Sequence, residues 1–120
     1  YLGCLPMAMV GYSEDCRMLA QPTLLPGSES GGFGQDDVAS PVFAAWSKQE
    51  RAGELLDQTL ASLAPIAMRA LRVTGRPVPA PLAGLAADIA AAFPDDAPTA
   101  AFGPQCEMLA GRLRRRIYPA

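Results

Sequence analysis

A single helical pattern, from Pro41 to Thr74, most constrains how this chain of 120 residues can fold. Ser40 followed by Pro41 predicts a helix start, because serine caps the first turn and proline fits the first helical position. The apolar residues then recur on one side of the helix: Val42, Ala45, Trp46, Ala52, Leu56, Leu60 and Leu63. We predict one amphipathic helix that buries this face in the core, continues through Pro65 with a kink and ends before Gly75.

Two further helices are predicted after Gly75. The first runs from Pro81 to Phe93 and stops before Pro94. Asp95-Asp96 marks another helix start, and the Gly103-Pro104 pair restarts that helix before the arginine-rich C-terminus. No alternating run rich in Val, Ile or Thr indicates a strand. The expected fold is therefore all-α, a small irregular bundle of three to four helices.

The N-terminal third has a different composition. Residues 1–12 are apolar but interrupted by glycine and proline, so we expect an extended or irregular path there. Ser13 offers an N-cap for a short helix from Glu14 to about Ala20, which Pro22 ends. Residues 21–39 are rich in Pro, Gly and Ser, which is typical of a linker. We predict an extended, irregular N-terminal arm over residues 1–39, with a short helix and a Gly-rich linker, and a helical domain over residues 40–120.

The chain contains no histidine, which removes the usual proton-transfer residue and the commonest metal ligand. The sequence Gly27-Ser28-Glu29-Ser30-Gly31 has glutamate where a nucleophile elbow needs serine, and no histidine can act as its base. The Gly31–Gly34 stretch is followed by Asp36 and Asp37, which would repel a phosphate. We therefore predict no cofactor, no metal site and no catalytic residue.

Charge is unevenly distributed, although the net charge is only −2. Residues 1–60 carry eight acids and three bases, whereas residues 61–120 carry four acids and seven bases. The largest basic group is Arg112, Arg114, Arg115 and Arg116 in the last predicted helix. Four charges without interleaved aromatic residues are a weak footprint for nucleic acid, so we expect a solvated helix end or contacts with an acidic partner.

Two features indicate contact with a partner. The helix from Pro81 to Phe93 has small residues on its back, and Ala83, Ala87 and Ala91 there would allow another helix to approach closely. Trp46 lies on the apolar face of the long helix, and we favour a position in the core over a role as a platform for a ligand. We also include Trp46 among the candidate partner-binding residues. Helices with such surfaces are either central in a bundle or part of an interface.

The three cysteines, Cys4, Cys16 and Cys106, match no zinc, iron–sulfur or CxxC spacing. Ordinary buried thiols in a reducing, cytoplasmic setting are expected, since free cysteine is among the most buried residue types. Cys106 falls on the apolar face of its helix and is expected in the core. The alternative is a disulfide with one thiol left over, in which a Cys4–Cys16 bond would close the N-terminal segment into a loop.

These patterns favour a non-catalytic accessory or interaction subunit that docks on a larger protein assembly, or on further copies of itself, through apolar helix faces and the N-terminal arm. One alternative is a thiol-based redox or metal-linked protein that uses the three cysteines. The other is a regulator that binds an anionic polymer through the C-terminal arginines, although nucleic acid is disfavoured by the charge. No apolar run is long enough to span a bilayer, so we expect a soluble or peripheral protein. Because the chain opens at Tyr1 without an initiator methionine, we expect a processed product or a fragment.

Overall fold

The computed structural model describes residues 2–23, 42–94 and 102–117. Within these ranges every regular element is helical: α1 (Leu5–Leu19), α2 (Val42–Thr74), α3 (Ala83–Ala92) and α4 (Phe102–Ile117). Short 3₁₀ turns at Leu2–Cys4 and Ala80–Leu82 precede α1 and α3. The predicted all-α class is confirmed. The Gly-rich linker, the Ser40-Pro41 helix start and the Asp95-Asp96 helix start lie outside the described residues.

The N-terminal segment differs from its predicted extended path, because α1 begins at Leu5 and not at the Ser13 cap. Pro6 is in the first turn of α1, where a missing N–H removes no helical hydrogen bond. Gly11 lies within the helix, where glycine costs about 1 kcal/mol relative to alanine. Packing of α1 against α2 offsets that cost. The predicted end of this helix before Pro22 is confirmed, since α1 stops at Leu19.

The long helix α2 continues through Pro65 to Thr74 as one element, as predicted. It ends at Gly75, whose φ of 65° is the left-handed conformation that residues with a side chain avoid. The Arg76 N–H donates to the Leu71 carbonyl at 3.0 Å, and the Gly75 N–H donates to the Arg72 carbonyl at 3.2 Å. These two bonds form a Schellman motif, which satisfies carbonyls that the helix end leaves without partners.

The helix α2 is the central element, and α1 and α4 both run antiparallel to it. At the start of α2, Lys48 Nζ donates to the Gln21 carbonyl just beyond the end of α1 at 2.9 Å. At the other end of α1, Leu5 belongs to the same buried cluster as Ala61 of α2. Two contacts show the direction of α4: Arg114 Nε donates to Asp57 of α2 at 2.9 Å, and Cys106 lies 3.7 Å from Ser62. The helix α3 packs mainly against α4, and its buried Ile89 and Ala92 complete the cluster.

The core is small and rich in small side chains. Among the described residues, Leu55 and Leu109 are the fully buried large apolar side chains. Three of the other six buried apolar residues are alanines, and the six are Ala61, Ala92, Ala110, Leu5, Ile89 and Cys106. Alanine contributes little burial energy for each residue, so the two leucines carry a large share of the core stabilisation.

Two adjacent leucines of α2 provide a matched test of which side of the helix is buried. Leu55 is 0% exposed and Leu56 is 56% exposed. We expect Leu55→Ala to lower the free energy of unfolding by about 2–5 kcal/mol, because it opens a cavity in the core. We expect Leu56→Ala to change it by less than about 0.5 kcal/mol in dilute solution. Urea denaturation followed by circular dichroism measures both, and equal losses would contradict the assignment of the buried side.

A second matched pair tests the end of α2. We expect Gly75→Ala to lower the free energy of unfolding by about 1 kcal/mol, because a side chain disfavours the left-handed conformation. The surroundings are open, since no atom lies within 4 Å of a Cβ built at this position. Gly11→Ala in the interior of α1 is the control, also in open space, and should raise stability by about 0.5–1 kcal/mol. The same sign for both substitutions in thermal denaturation would argue against the Schellman motif.

Candidate interaction surface

The apolar face predicted for α2 is not the face that the structure buries. Its five large residues are exposed to solvent by 45–62%: Val42, Trp46, Leu56, Leu60 and Leu63. The buried residues of α2 are Leu55, Ala61, Ser62 and Pro65, which lie on the other side of the helix. The prediction that the apolar face lies in the core is therefore wrong. The physical reason is that α1 and α4 pack on the side where alanine and serine allow close approach.

The exposed side of α2 carries a regular pattern that we call the outer stripe. Its positions follow each other at alternating intervals of four and three residues, which is the heptad spacing of helices that pair along their length. All ten positions are exposed, and none is charged. They are Val42, Trp46, Gln49, Gly53, Leu56, Leu60, Leu63, Ala67, Ala70 and Thr74. The outer stripe spans the whole of α2, which is about 50 Å long at 1.5 Å per residue.

Exposed apolar side chains of the described residues are not confined to the outer stripe. On α1 they include Met7, Val10 and Met18. Contiguous exposed apolar patches of several hundred Å² are typical of sites that contact another molecule.

Trp46 was expected in the core, and the structure places it at the surface with 62% of its area exposed. Its ring borders a groove of about 680 Å³ between the N-terminal half of α2 and the end of α4. The groove is lined by Trp46, Gln49, Glu50, Gly53, Glu54, Asp57 and Arg114. The groove therefore adjoins the outer stripe along three of its positions: Trp46, Gln49 and Gly53.

Acidic side chains form one wall of this groove. Glu54 accepts a hydrogen bond from Arg51 at 2.8 Å, and Asp57 accepts one from Arg114 of α4 at 2.9 Å. The first pair is exposed, so its net contribution to stability is at most about 1 kcal/mol. The Asp57–Arg114 pair joins α2 to α4, and it places one positive charge at the edge of an otherwise acidic wall. The sequence pattern did not indicate the Asp57–Arg114 contact, because the two residues are 57 positions apart.

The predicted arginine cluster is divided by this ion pair. Arg114 faces Asp57, whereas Arg115 is exposed and Arg112 is half-buried. The side chain of Arg116 lies outside the described part of the chain. Arg114 is therefore not a free cation beside its neighbours. Contact of Arg112, Arg115 and Arg116 with a partner stays a prediction.

The alanine surface of α3 is open. Ala83, Ala87 and Ala91 are all exposed, while Ile89 and Ala92 on the other side are buried. The predicted two-sided helix therefore has one side packed in the bundle and one side uncovered. Whether a partner covers the second side stays a prediction.

The three thiols lie in three different environments and are all free. Cys4 is exposed at the start of α1, and Cys16 is half-buried twelve residues further along the same helix. A helix rises about 18 Å over twelve residues, whereas a disulfide needs Cα atoms within about 7 Å. The alternative of a Cys4–Cys16 bond that closes the N-terminal segment is therefore wrong, because that segment is a rigid helix.

Cys106 is buried in the core, as predicted. Burial raises the pKa of its thiol above the ordinary value of 9.0, and the nearby Glu107 carboxylate raises it further. Ser62, whose Oγ lies 3.7 Å from the Cys106 Sγ, acts in the opposite direction. The same hydroxyl lies 2.8 Å from the Gln58 carbonyl, and its one proton serves one acceptor at a time. The Cys106 thiol is thus protonated at neutral pH, the form that is a poor nucleophile.

Alkylation separates the three thiols. In the native protein at neutral pH we expect iodoacetamide to modify Cys4 first and Cys16 next, and to leave Cys106 unmodified until the chain is unfolded in denaturant. Mass spectrometry of proteolytic fragments at successive times gives the order. A Cys4→Ser variant serves as the control, and it should lose the fastest phase alone. Rapid modification of Cys106 in the folded chain would contradict its buried position.

Within residues 2–23, 42–94 and 102–117, no group of three or more acidic or cysteine side chains is placed to hold a metal ion. In the same ranges, none of the helices combines the length and the apolar character needed to cross a bilayer.

Comparison with known proteins adds no relationship. No family model, no curated protein and no solved structure matches this chain.

Proposed function

We propose that this protein is a non-catalytic interaction subunit that docks another polypeptide through the outer stripe of α2. The observation that carries the proposal is the exposure of ten uncharged heptad positions along a helix that already has α1 and α4 on its other sides. A helix face with heptad spacing is the surface that a second helix recognises, because large side chains of one helix insert between those of the other.

The large residues of the outer stripe would contribute most of the free energy of docking. Leu56, Leu60 and Leu63 each keep about half of their area in water. Covering the exposed part of each one contributes on the order of 1 kcal/mol, and Trp46 contributes more because it is larger. Tryptophan is one of the residue types that most often dominate the binding energy of an interface. Trp46 is the largest residue of the stripe, so its removal should weaken docking most.

The composition supports a non-catalytic role. The chain has no histidine, and its buried thiol is held in the protonated form. The groove beside Trp46 contains carboxylates that are paired with arginines, a pattern of surface electrostatics that fits docking. The exposed alanines of α3 and the apolar residues on the outside of α1 are further surfaces through which the subunit could be held in a larger assembly.

Site-specific photocrosslinking tests the proposal. A benzophenone amino acid is introduced at Leu56, on the outer stripe, or at Ser47, which is also exposed and lies on the opposite side of α2. Irradiation of cells that naturally express the chain should give a discrete covalent adduct with a polypeptide from position 56 and none from position 47. No adduct from position 56, or equal adducts from both positions, would refute docking through the stripe.

A further inference from the structure

We infer that the polypeptide docked on the outer stripe is a second copy of this chain, paired antiparallel about a two-fold axis at the level of Gln58. This inference rests on the proposed function and names the partner of the same surface. Three observations support it: the order of large and small side chains along the stripe, the position of the Asp57–Arg114 ion pair, and the length of the stripe.

The side chains of the stripe are complementary to themselves in the antiparallel direction. A two-fold axis at the level of Gln58 brings together positions that are equally distant from residue 58 on either side. Trp46 then faces Ala70 of the other copy, and Gly53 faces Leu63. Leu56 faces Leu60 at the centre. Large residues thus meet small ones towards the ends, which is the arrangement that packs without voids.

A parallel pair would lack this complementarity. It would place each residue of the stripe opposite itself, so Trp46 would crowd Trp46 while Gly53 faced Gly53 across a gap. Either defect weakens packing, because overfilled positions and cavities both destabilise an interface. The order of side chains therefore selects the antiparallel direction.

The ion pair between α2 and α4 lies at the midpoint of this arrangement. Asp57 is next to residue 58 and borders the stripe, and it holds Arg114 of α4. The two-fold axis brings two such pairs side by side, so that each arginine approaches the carboxylate of the other copy. Isologous dimers commonly repeat one contact in this way on both sides of their axis.

The stripe is long enough for a specific interface. A strip about 50 Å long and about 10 Å wide, the width of a helix, covers roughly 500 Å² on each copy. Two copies together bury on the order of 1,000 Å², which reaches the lower limit for specific protein interfaces. A reversible dimer is therefore expected, not an obligate one.

Cysteine pairing tests both the partner and the direction. The background carries Cys4→Ser and Cys16→Ser and keeps the buried Cys106. In an antiparallel pair Gln49 faces Ala67 of the other copy, so a mixture of Gln49→Cys and Ala67→Cys chains should form a mixed disulfide under mild oxidation. Each variant alone is the control and should stay uncrosslinked, because its own two copies of the new thiol lie roughly 27 Å apart. Disulfide formation by the Gln49→Cys chain alone would indicate a parallel pair and overturn the inference.

Light scattering after size-exclusion chromatography provides the second measurement. The parent chain should approach twice its 12.6 kDa mass as concentration rises. Leu60→Glu, at the centre of the stripe, should raise the dissociation constant of the dimer by about tenfold or more. Ser47→Glu adds the same charge on the opposite side of α2 and should leave it within about twofold. Circular dichroism establishes that both variants remain helical.

The outcomes separate this inference from the proposed function. A chain that stays monomeric at all concentrations overturns self-association. If position 56 then crosslinks to a different polypeptide in cells, docking through the stripe stands and the partner is another protein. If position 56 crosslinks only within its own chain, a segment of this polypeptide covers the stripe and both proposals are wrong.

Discussion

The close contact of α4 with the small-residue side of α2 is the interaction on which the rest of the structure depends. Ala61 and Ser62 present short side chains at this point, so α4 can approach near enough to bury Cys106, Leu109 and Ala110. The Asp57–Arg114 ion pair lies at the edge of this contact. Because α1 uses another side of the same helix, α2 becomes the central element, and its remaining side is left to solvent.

In this arrangement the more apolar side of α2 is not the side that is buried. The leucines of the outer stripe would contribute more burial energy than Ala61 or Ser62 do, yet they stay exposed. Apolar surface that folding leaves exposed can still be buried when another molecule binds. Conflicts of this kind between the local sequence pattern and the tertiary structure are expected at functional surfaces. The outer stripe is therefore the feature that most directly connects the fold to a role, and antiparallel self-pairing would cover it along the whole helix.

Sequence reasoning recovered the all-α class, the continuous helix to Thr74 and the buried position of Cys106. It missed the first part of the helix at Leu5–Leu19, up to Ser13, because Pro6 and Gly11 resemble breaks when the turn in which they fall is unknown. It also assigned the wrong face of α2 to the core. The heptad spacing of that face was present in the residues all along, but whether a helix face meets its own chain or another one depends on which other helices pack beside it, and periodicity carries no such information.

Local chemistry alone determined the elements of this protein: where proline and glycine end helices, which spacing makes α2 amphipathic, and that no histidine is available for catalysis. Those properties depend on a residue and its near neighbours, so the order of amino acids is enough. Only the tertiary structure decided that Trp46 is exposed and that Arg114 is held by Asp57. These outcomes depend on which side of α2 is covered by helices distant in the chain. The side with small side chains is covered, because it allows the closest packing.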